Sequence, residues 1–315
     1  MEKRGGWGLA AGIGRGYDGT RTAAQKKIRI PIQRAPVPPE SSAIYSAARA
    51  VHAAQKPQKN MRPTTPTLLV SLLLAAAALA DVGLGAKPPA GADVIIDGTR
   101  ATLDEKWIYW EGPGFKSAMP IKWKIVEDPV DKGSALMTDD RVADGGKYGS
   151  ADIVTKKAYR DFHLHIEFLI MKAGGNSGVY LQNRFEIQVF DGDKTKHGMG
   201  AVINETDSPY QAYKGIGAWN SYDITFRAAR FKDGKMVEKP LVSMYFNGQK
   251  VHSNVAINQV WGGPNSGLDG GNDGGKGITD TPGGLKLQCE GHDVRYRHAW
   301  IKELDLEKPD TDFTE

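Results

Sequence analysis

The chain has 315 residues, of which 25% are charged and 40% hydrophobic, as in an ordinary globular protein. The net charge of +4 is unevenly distributed, because residues 1–80 hold 12 Lys and Arg but only 3 Asp and Glu. Residues 81–315 therefore carry 29 basic and 34 acidic side chains. This acidic balance argues against a nucleic-acid partner, which needs a basic patch on the folded domain. The single cysteine, Cys289, excludes an intrachain disulfide.

An apolar run near residue 70 has the features of a signal peptide. Residues 68–80 form an apolar segment that is too short for a comfortable permanent membrane span, and Arg62 precedes it. Ala78-Leu79-Ala80 has the small-x-small form that signal peptidase cleaves. We therefore predict a signal peptide over residues 61–80.

The position of this signal peptide determines the expected domain organisation. Signal peptides stand at the N-terminus, so Met61 is the expected start and residues 1–60 are a spurious or disordered extension. The mature domain, residues 81–315, is then expected in the periplasm or outside the cell, with no transmembrane span after removal of the signal.

The rest of the chain predicts strands and no long helix. Short segments alternate apolar and polar residues with a period of two and end in Gly, Asn, Asp or Pro, which is typical of antiparallel strands. Asn247-Gly248 after an apolar segment predicts a tight hairpin turn. The pattern predicts an all-β, two-sheet antiparallel sandwich of the jelly-roll type. The clearest strand segments are residues 162–170, 185–190, 222–226, 241–246 and 285–289.

Eight segments of this part of the chain form an ordered set of motifs: Val94–Thr99, Tyr159–Phe162, Asn176–Leu181, Phe185–Asp191, Gly217–Ile224, Phe246–Gly248, Leu285–Gln288 and Val294–Lys302. They resemble the motifs of the 3-keto-disaccharide hydrolase domain family, occur in the family's order and cover roughly residues 93–305. The resemblance implies a concanavalin-like jelly roll and activity on glycosides oxidised at C3.

The segment Phe185–Asp191 supplies the first catalytic hypothesis. Glu186 and Gln188 are two apart on a predicted strand and therefore share a face. A bulge after Val189 would bring Asp191 to the same face. Glu186 and Asp191 could then form the carboxylate pair of a glycosidase. The alternative is that both bind sugar hydroxyls, or that Asp191 caps a turn.

A 3-keto sugar allows a second hypothesis that needs a single base. The ketone acidifies the proton on C2, and removal of that proton lets the aglycone leave C1 by β-elimination, after which water adds back. His165 and Glu167 share a predicted strand face and could act with Glu186. The alternative for His165 is an ordinary polar residue on the outer face of a strand. Arg184 and Arg297 could stabilise the enolate.

A bound divalent metal could also stabilise the enolate. However, no spacing of His, Asp and Glu residues demands a metal, and no other cofactor is expected.

The remaining candidates are substrate-binding residues. Asn176 and Gln188 carry amides that suit sugar hydroxyls, and Tyr180 lies on the same motif as Asn176. Trp219 and Trp261 could stack on a sugar ring. We therefore expect an exported enzyme that cleaves 3-keto-glycosides or disaccharides, by hydrolysis or by elimination and hydration. The alternatives are a non-catalytic, lectin-like carbohydrate-binding module and an envelope protein that has lost its site.

Overall fold

The computed structural model describes residues 81–110, 121–138, 152–261 and 277–312. The predicted signal peptide and the extension before it lie outside these residues. The elements are β1 (Asp93–Ile96), α1 (Arg100–Lys106), β2 (Trp107–Tyr109), β3 (Lys124–Glu127), β4 (Ser134–Met137), β5 (Ile153–Thr155), β6 (Asp161–Ile170), β7 (Asn176–Leu181), β8 (Phe185–Phe190), a 3-10 turn (Tyr210–Ala212), β9 (Asn220–Arg227), β10 (Arg230–Lys232), β11 (Lys235–Glu238), β12 (Leu241–Phe246), β13 (Gln249–Ala256), β14 (Lys286–Leu287) and β15 (Val294–Leu304).

Two antiparallel sheets contain nearly all of these strands. Sheet A has eight strands in the order β13-β12-β9-β6-β15-β4-β3, and β1 also pairs with β15. Sheet B has five strands in the order β2-β5-β14-β7-β8, while β10 and β11 form a separate hairpin. The prediction of an all-β antiparallel sandwich is confirmed.

The hydrophobic core lies between the two sheets. Leu164 and Ile166 of β6 and Ile187 of β8 are fully buried in one apolar cluster, as the period-two alternation predicts. Polar contacts also cross the core, since the Tyr222 hydroxyl in sheet A donates to the Gln188 carbonyl in sheet B at 2.7 Å. Because alternate residues of each strand fill this core, the remaining ones lie on the outer faces of the sandwich.

Local sequence explains the only α-helix among the described residues and one of the hairpins. The Thr99 hydroxyl accepts a hydrogen bond from the Thr102 backbone N–H and so caps α1 at its N-terminus. The β12–β13 hairpin turns at Asn247 and Gly248, whose φ angles are 51° and 79°. These left-handed angles are those that a two-residue hairpin turn requires, and the predicted turn is confirmed.

The N-terminal segment, residues 81–92, lies against the outer face of sheet A. The backbone N–H of Gly83 donates to the Asp223 carboxylate at 2.8 Å, and that of Gly85 donates to the Glu167 carboxylate at 2.6 Å. Both glycines have positive φ angles, 94° and 83°, which other residues adopt only with strain. The segment therefore covers polar side chains that would otherwise reach solvent.

No helix within the described residues has the length and apolarity that crossing a membrane requires.

Candidate functional site

The outer face of sheet B carries a row of five side chains, one from each strand. The strand register aligns them in the order Ile108, Val154, Lys286, Tyr180 and Glu186. Their sequence neighbours point into the core, so all five point away from it. The charged end of the row lies on β14, β7 and β8.

A second row lies beside the first on the same face. It runs in the order Trp110, Asp152, Gln288, Gly178 and Gln188. The backbone N–H of Trp110 donates to the backbone carbonyl of Asp152, and the backbone N–H of Gln288 donates to that of Gly178. Gly178 in turn pairs with Gln188. Apart from the glycine, these residues are more than nine-tenths buried. The two rows together define the candidate site, which we call the sheet B site.

Gly178 lies at the centre of the sheet B site. A Cβ atom at this position would overlap the carboxylate of Glu186 and lie 2.8 Å from the ring of Tyr180. The absence of a side chain therefore lets the carboxylate lean over the sheet. The Gln288 amide donates to the Tyr180 hydroxyl at 3.1 Å, which fixes the orientation of the phenol.

Glu186 has the electrostatics of a general base. Burial raises the pKa of its carboxyl group to about 7, because the charged form loses its hydration. A hydrogen bond with Tyr180 and the positive charge of Lys286 oppose this rise, while the negative charges of Glu290 and Asp152 add to it. A carboxyl group with a pKa near neutrality can take up and release a proton at physiological pH.

An ion pair lies beside this carboxylate. The Lys286 ammonium is 2.8 Å from the Asp152 carboxylate, and both side chains are fully buried. The ammonium also lies 3.6 Å from the centre of the Tyr180 ring and 4.6 Å from the centre of the Trp110 ring. The Cys289 backbone N–H donates to the second oxygen of Asp152 at 2.9 Å.

Asn176 and Glu290 lie at the side of the site beyond the second row. Asn176 begins β7 on the face that Gly178 and Tyr180 share, and its amide nitrogen donates to the Glu290 carboxylate. Asn176 pairs with Phe190 across the hairpin. A carboxylate and an amide therefore extend the polar surface of the site.

The structure brings four of the sequence-predicted residues together. Glu186, Gln188, Asn176 and Tyr180 all lie on the outer face of sheet B. Arg184 lies in the tight turn between β7 and β8, where its guanidinium donates to the Gln182 carbonyl at 3.1 Å. It is at the end of the hairpin that carries Glu186.

Asp191 does not join this group as expected. Strands β7 and β8 pair without a register shift up to Phe190, so the bulge predicted after Val189 is absent. Without a bulge, residues an odd number apart point to opposite faces of a strand, so Asp191 does not share the face of Glu186. Its carboxylate accepts hydrogen bonds from the Gly174 backbone N–H and the Tyr210 hydroxyl, so it stabilises a turn after the strand.

His165 and Glu167 do not join Glu186 either, and this is a correction to the sequence-based hypothesis. They lie on β6 between residues that fill the core, and therefore point to the outer face of sheet A. Glu186 points to the outer face of sheet B, on the other side of the sandwich. His165 Nδ1 is 2.6 Å from an Asp223 oxygen, and His165 Nε2 is 3.7 Å from a Glu167 oxygen.

Arg297 and Trp219 belong to the same outer face of sheet A, so they also lie away from Glu186. The Arg297 guanidinium is 2.6 Å from the Glu167 carboxylate and 2.5 Å from that of Asp128, and it stacks on the Trp219 ring at 4.1 Å. Trp219 is buried and donates to Asp128 at 3.0 Å. Arg297 and Trp219 are therefore not grouped with Glu186, as the sequence-based hypothesis expected, but belong to an internal ion network.

Trp261, the other predicted stacking residue, is half-buried and donates its ring N–H to Glu205 at 3.0 Å.

The charges of this network are mutually stabilised. Burial opposes the charge of His165, but the hydrogen bond with Asp223 and the nearby negative charge of Glu167 outweigh it and raise the pKa to about 9. Burial alone would raise the pKa of Glu167, but the neighbouring His165 and His298 and hydrogen bonds from Gly85 and Arg297 hold it well below its usual value. His165 is therefore an imidazolium at neutral pH, which is unsuitable for a general base.

Sequence reasoning missed Lys286, Asp152, Trp110 and Glu290. The period-two pattern of Lys286, Gln288 and Glu290 carries a weak signal, since these polar residues alternate with the apolar Leu287 and Cys289. The pairing of β14 with β5 and β7 connects segments more than 100 residues apart in sequence, and no local pattern shows it.

Within the described ranges, no three His, Cys, Asp or Glu side chains are grouped as ligands for a metal ion.

Replacement of Gly178 by Ala tests the geometry of the site. The new methyl group would displace the carboxylate of Glu186 and the ring of Tyr180, while the backbone at this position is not left-handed. We expect activity on the substrate proposed below to fall by roughly 10²-fold, the effect of a misplacement of about 1 Å. Thermal unfolding should change little, because the displaced atoms are side-chain ends. Unchanged kinetics would contradict the assignment of the site.

Three solved structures are among those to which this chain is similar. The chain is similar to a proposed glycosyl hydrolase from Parabacteroides distasonis ATCC 8503, with 25% identity over 70% of this chain and 86% of that chain and a TM-score of 0.55. A second such protein from the same organism has 21% identity over 68% of this chain and 100% of its own, with a TM-score of 0.40. The carbohydrate binding module CBM66 from Bacillus subtilis has 9% identity over 66% and 97%, with a TM-score of 0.35.

No curated protein matches the chain. The model of one protein family matches residues 91–302, which include all of sheet B with its site and nearly all of sheet A. The chain belongs to the family described as the 3-keto-alpha-glucoside-1,2-lyase-like domain.

Proposed function

We propose that this protein is a carbohydrate-active enzyme that cleaves 3-keto-glycosides, with Glu186 as the general base. The observation that carries the proposal is the carboxylate of Glu186, with a pKa of about 7, leaning over Gly178 on the outer face of sheet B. The family description and the similarity to a proposed glycosyl hydrolase at 25% identity support a glycoside as the substrate.

The chemistry favours elimination followed by hydration. Glu186 removes the proton on C2 of the sugar, which the neighbouring ketone acidifies, and the electron pair moves to the ketone oxygen. The enolate then expels the aglycone oxygen from C1, and a proton completes the released alcohol. Water adds to C1 of the enone and a proton returns to C2, so that the net reaction is hydrolysis.

The surrounding groups suit this reaction. The amides of Gln188 and Gln288 and the hydroxyl of Tyr180 lie on the same face and can donate hydrogen bonds to sugar oxygens. Asp191, the predicted second carboxylate, lies away from Glu186. Of the other carboxylates on this face, Asp152 is paired with Lys286 and Glu290 accepts a hydrogen bond from Asn176, so Glu186 remains as a single base. A single base fits elimination better than the two-carboxylate mechanism of ordinary glycosidases.

The decisive experiment uses a 3-keto-glucoside, such as 3-ketotrehalose, with hydrogen or deuterium at C2. We expect release of the aglycone, a primary kinetic isotope effect on kcat/KM, and solvent deuterium at C2 of the product in heavy water. The matching glycoside with an unoxidised C3 is the control and should not react. Tight binding of the sugar without turnover, retained in Glu186→Gln, would instead support a lectin-like module.

The pH dependence gives an independent prediction. Because the base must be deprotonated, kcat/KM should rise with pH and level off above a pKa of about 7. The measurement is initial rates at limiting substrate between pH 5 and 9. An acid limb near pH 4.5, the ordinary value for Glu, would mean that a different or solvated carboxylate is the base.

We also propose that the protein is exported, on the evidence of the apolar run and the cleavage motif within residues 61–80. Expression of the full chain in a bacterial host, followed by N-terminal sequencing of the periplasmic fraction, tests this. We expect a mature terminus near Asp81 and the same terminus after deletion of residues 1–60. Uncleaved protein in the cytoplasm would contradict export.

A further inference from the structure

The ion pair of Lys286 and Asp152 is unusual because both side chains are fully buried at the surface of sheet B that faces away from the core. Lys and Asp are almost never fully buried unless they are paired. Removing two charges from water costs several kcal/mol per ion, and apolar residues of similar volume often stabilise a fold as well or better. Stability alone therefore gives a weak reason for a charged pair at this place.

The location of the pair connects it to the proposed base. Lys286 lies between Val154 and Tyr180 in the first row of the sheet B site, and Tyr180 pairs directly with Glu186. The ammonium lies 3.6 Å from the centre of the Tyr180 ring, within the range of a cation–π contact. The Tyr180 hydroxyl is hydrogen-bonded with Glu186. A continuous series of contacts thus runs from Asp152 to the base.

The charges that face Glu186 come from several strands. Tyr180 on β7 and Lys286 on β14 favour the carboxylate form, while the negative charges of Glu290 and Asp152 disfavour it. Tyr296 on β15 also interacts with Glu186. Lys286 is the one cation among these partners of Glu186.

We propose that Lys286, held in place by Asp152, is a positioning residue that fixes the ring of Tyr180 and, through it, the carboxylate of the base Glu186. The positive charge of Lys286 also favours the carboxylate form of Glu186. This inference rests on the proposed function for its catalytic consequence. Lys286 does not touch the substrate in this arrangement, because its ammonium is covered by Asp152 and by the rings of Tyr180 and Trp110.

The test compares a neutral and a charged replacement in the full chain. K286Q removes the charge and can still donate to Asp152, whereas K286R keeps a cation against the aromatic rings. We expect the acid limb of kcat/KM to move up by about 1 pH unit in K286Q, the low end of the effect of a nearby charge. It should stay near its wild-type position in K286R. The matched control K250M removes an exposed lysine that pairs with Asp312. It should leave the acid limb of kcat/KM at its wild-type pH.

Two outcomes would overturn the inference. The first is an acid limb of kcat/KM at the same pH in K286Q and the wild type. The second is an equal shift of the acid limb in K286Q and K286R, because it would indicate structural damage instead of an effect of charge. If K286Q does not fold, D152N/K286M leaves no unpaired buried charge and should show a shift of the same sign, since Lys286 acts on Glu186 more strongly than Asp152 does. Absence of that shift in the folded double variant would also refute the proposal.

A second readout separates this inference from the proposed function. Glutamate labelled with ¹³C at the side-chain carboxyl allows Glu186 to be titrated by NMR without any substrate, with E186Q used to assign its resonance. We expect Glu186 to titrate about 1 unit higher in K286Q than in the wild type. This shift without turnover of any 3-keto-glycoside would refute the proposed function but support the electrostatic role of Lys286. Turnover of a 3-keto-glycoside without the shift would support the proposed function but refute the electrostatic role of Lys286.

Discussion

Replacement of Glu186 by Gln is expected to lower kcat on a 3-keto-glycoside by roughly 10²–10⁴-fold, the usual contribution of a general base. Gln has nearly the shape of Glu but cannot accept the C2 proton. KM should change little, because the amide can still contact Tyr180 and the sugar. Steady-state kinetics at pH 8, where the wild-type base is deprotonated, is the appropriate measurement.

The matched control is Glu303→Gln on β15 of sheet A, where the native carboxylate forms an exposed ion pair with Lys157. Its kinetics should equal those of the wild type. Full activity in Glu186→Gln would remove Glu186 from the mechanism. An equal loss in Glu303→Gln would mean that the loss is not specific to position 186.

Glu186→Gln also has a predicted effect on stability, and this effect depends on pH. The folded-state pKa of Glu186, about 7, lies above the ordinary value of 4.5. The fold therefore binds a proton more tightly than the unfolded chain, and the wild type loses stability as pH rises from about 4.5 to 7. Glu186→Gln avoids this loss. Its Tm should exceed that of the wild type at pH 8 and approach it at pH 4.

Replacement of Arg297 by Met is expected to reduce the free energy of unfolding by about 3–5 kcal/mol, as for other buried ion pairs that lose one partner. Arg297 contacts Glu167 and Asp128, which are both buried on the outer face of sheet A. Without the guanidinium, His165 remains as the main cation for Glu167, and Asp128 loses its cation and keeps only hydrogen bonds from neutral N–H groups, including that of Trp219. Chemical denaturation at pH 7 measures the loss.

The control for Arg297→Met is Arg100→Met, which removes an exposed pair with Asp104 on α1. Such pairs contribute at most about 1 kcal/mol, so a small effect is expected. Equal effects of the two variants would contradict the structural role of the network on sheet A.

Acid should weaken the same network. The pKa values of Glu167 and Asp128 are depressed in the fold, so their stabilising contribution is present above their ordinary pKa values of 4.5 and 3.8 and is lost as pH falls below them. His165 has a raised pKa, so its contribution is complete below 6.5 and is lost as pH rises through about 9.

The sequence predicts the sandwich well because its evidence is local. The alternation in β6 and β8 and the turn at Asn247-Gly248 each depend on a few consecutive residues, and the structure confirms them. The same alternation correctly groups Glu186 with Gln188, since residues two apart on a regular strand share a face.

The composition of the site could not be predicted in the same way. Alternation shows that His165 and Glu186 each point away from a core, but it does not show that they lie on opposite sides of the sandwich. The pairing of Lys286 with Tyr180 is fixed by strand order, which depends on contacts more than 100 residues apart. The prediction that Asp191 shares the face of Glu186 is wrong for a local reason. The regular pairing of β7 with β8 continues where the sequence predicts a bulge.

The N-terminal segment has a consequence for the order of folding. Gly83 binds Asp223, and the Ala86 carbonyl accepts a hydrogen bond from Trp300, 214 residues later in the chain. Trp300 lies on β15, the last strand, which is inserted between β6 and β4 in the middle of sheet A. Residues 81–92 can therefore attach fully only when the last strand of the domain is present. Contacts of such long sequence separation slow folding, and attachment of this segment should be among the last events of refolding.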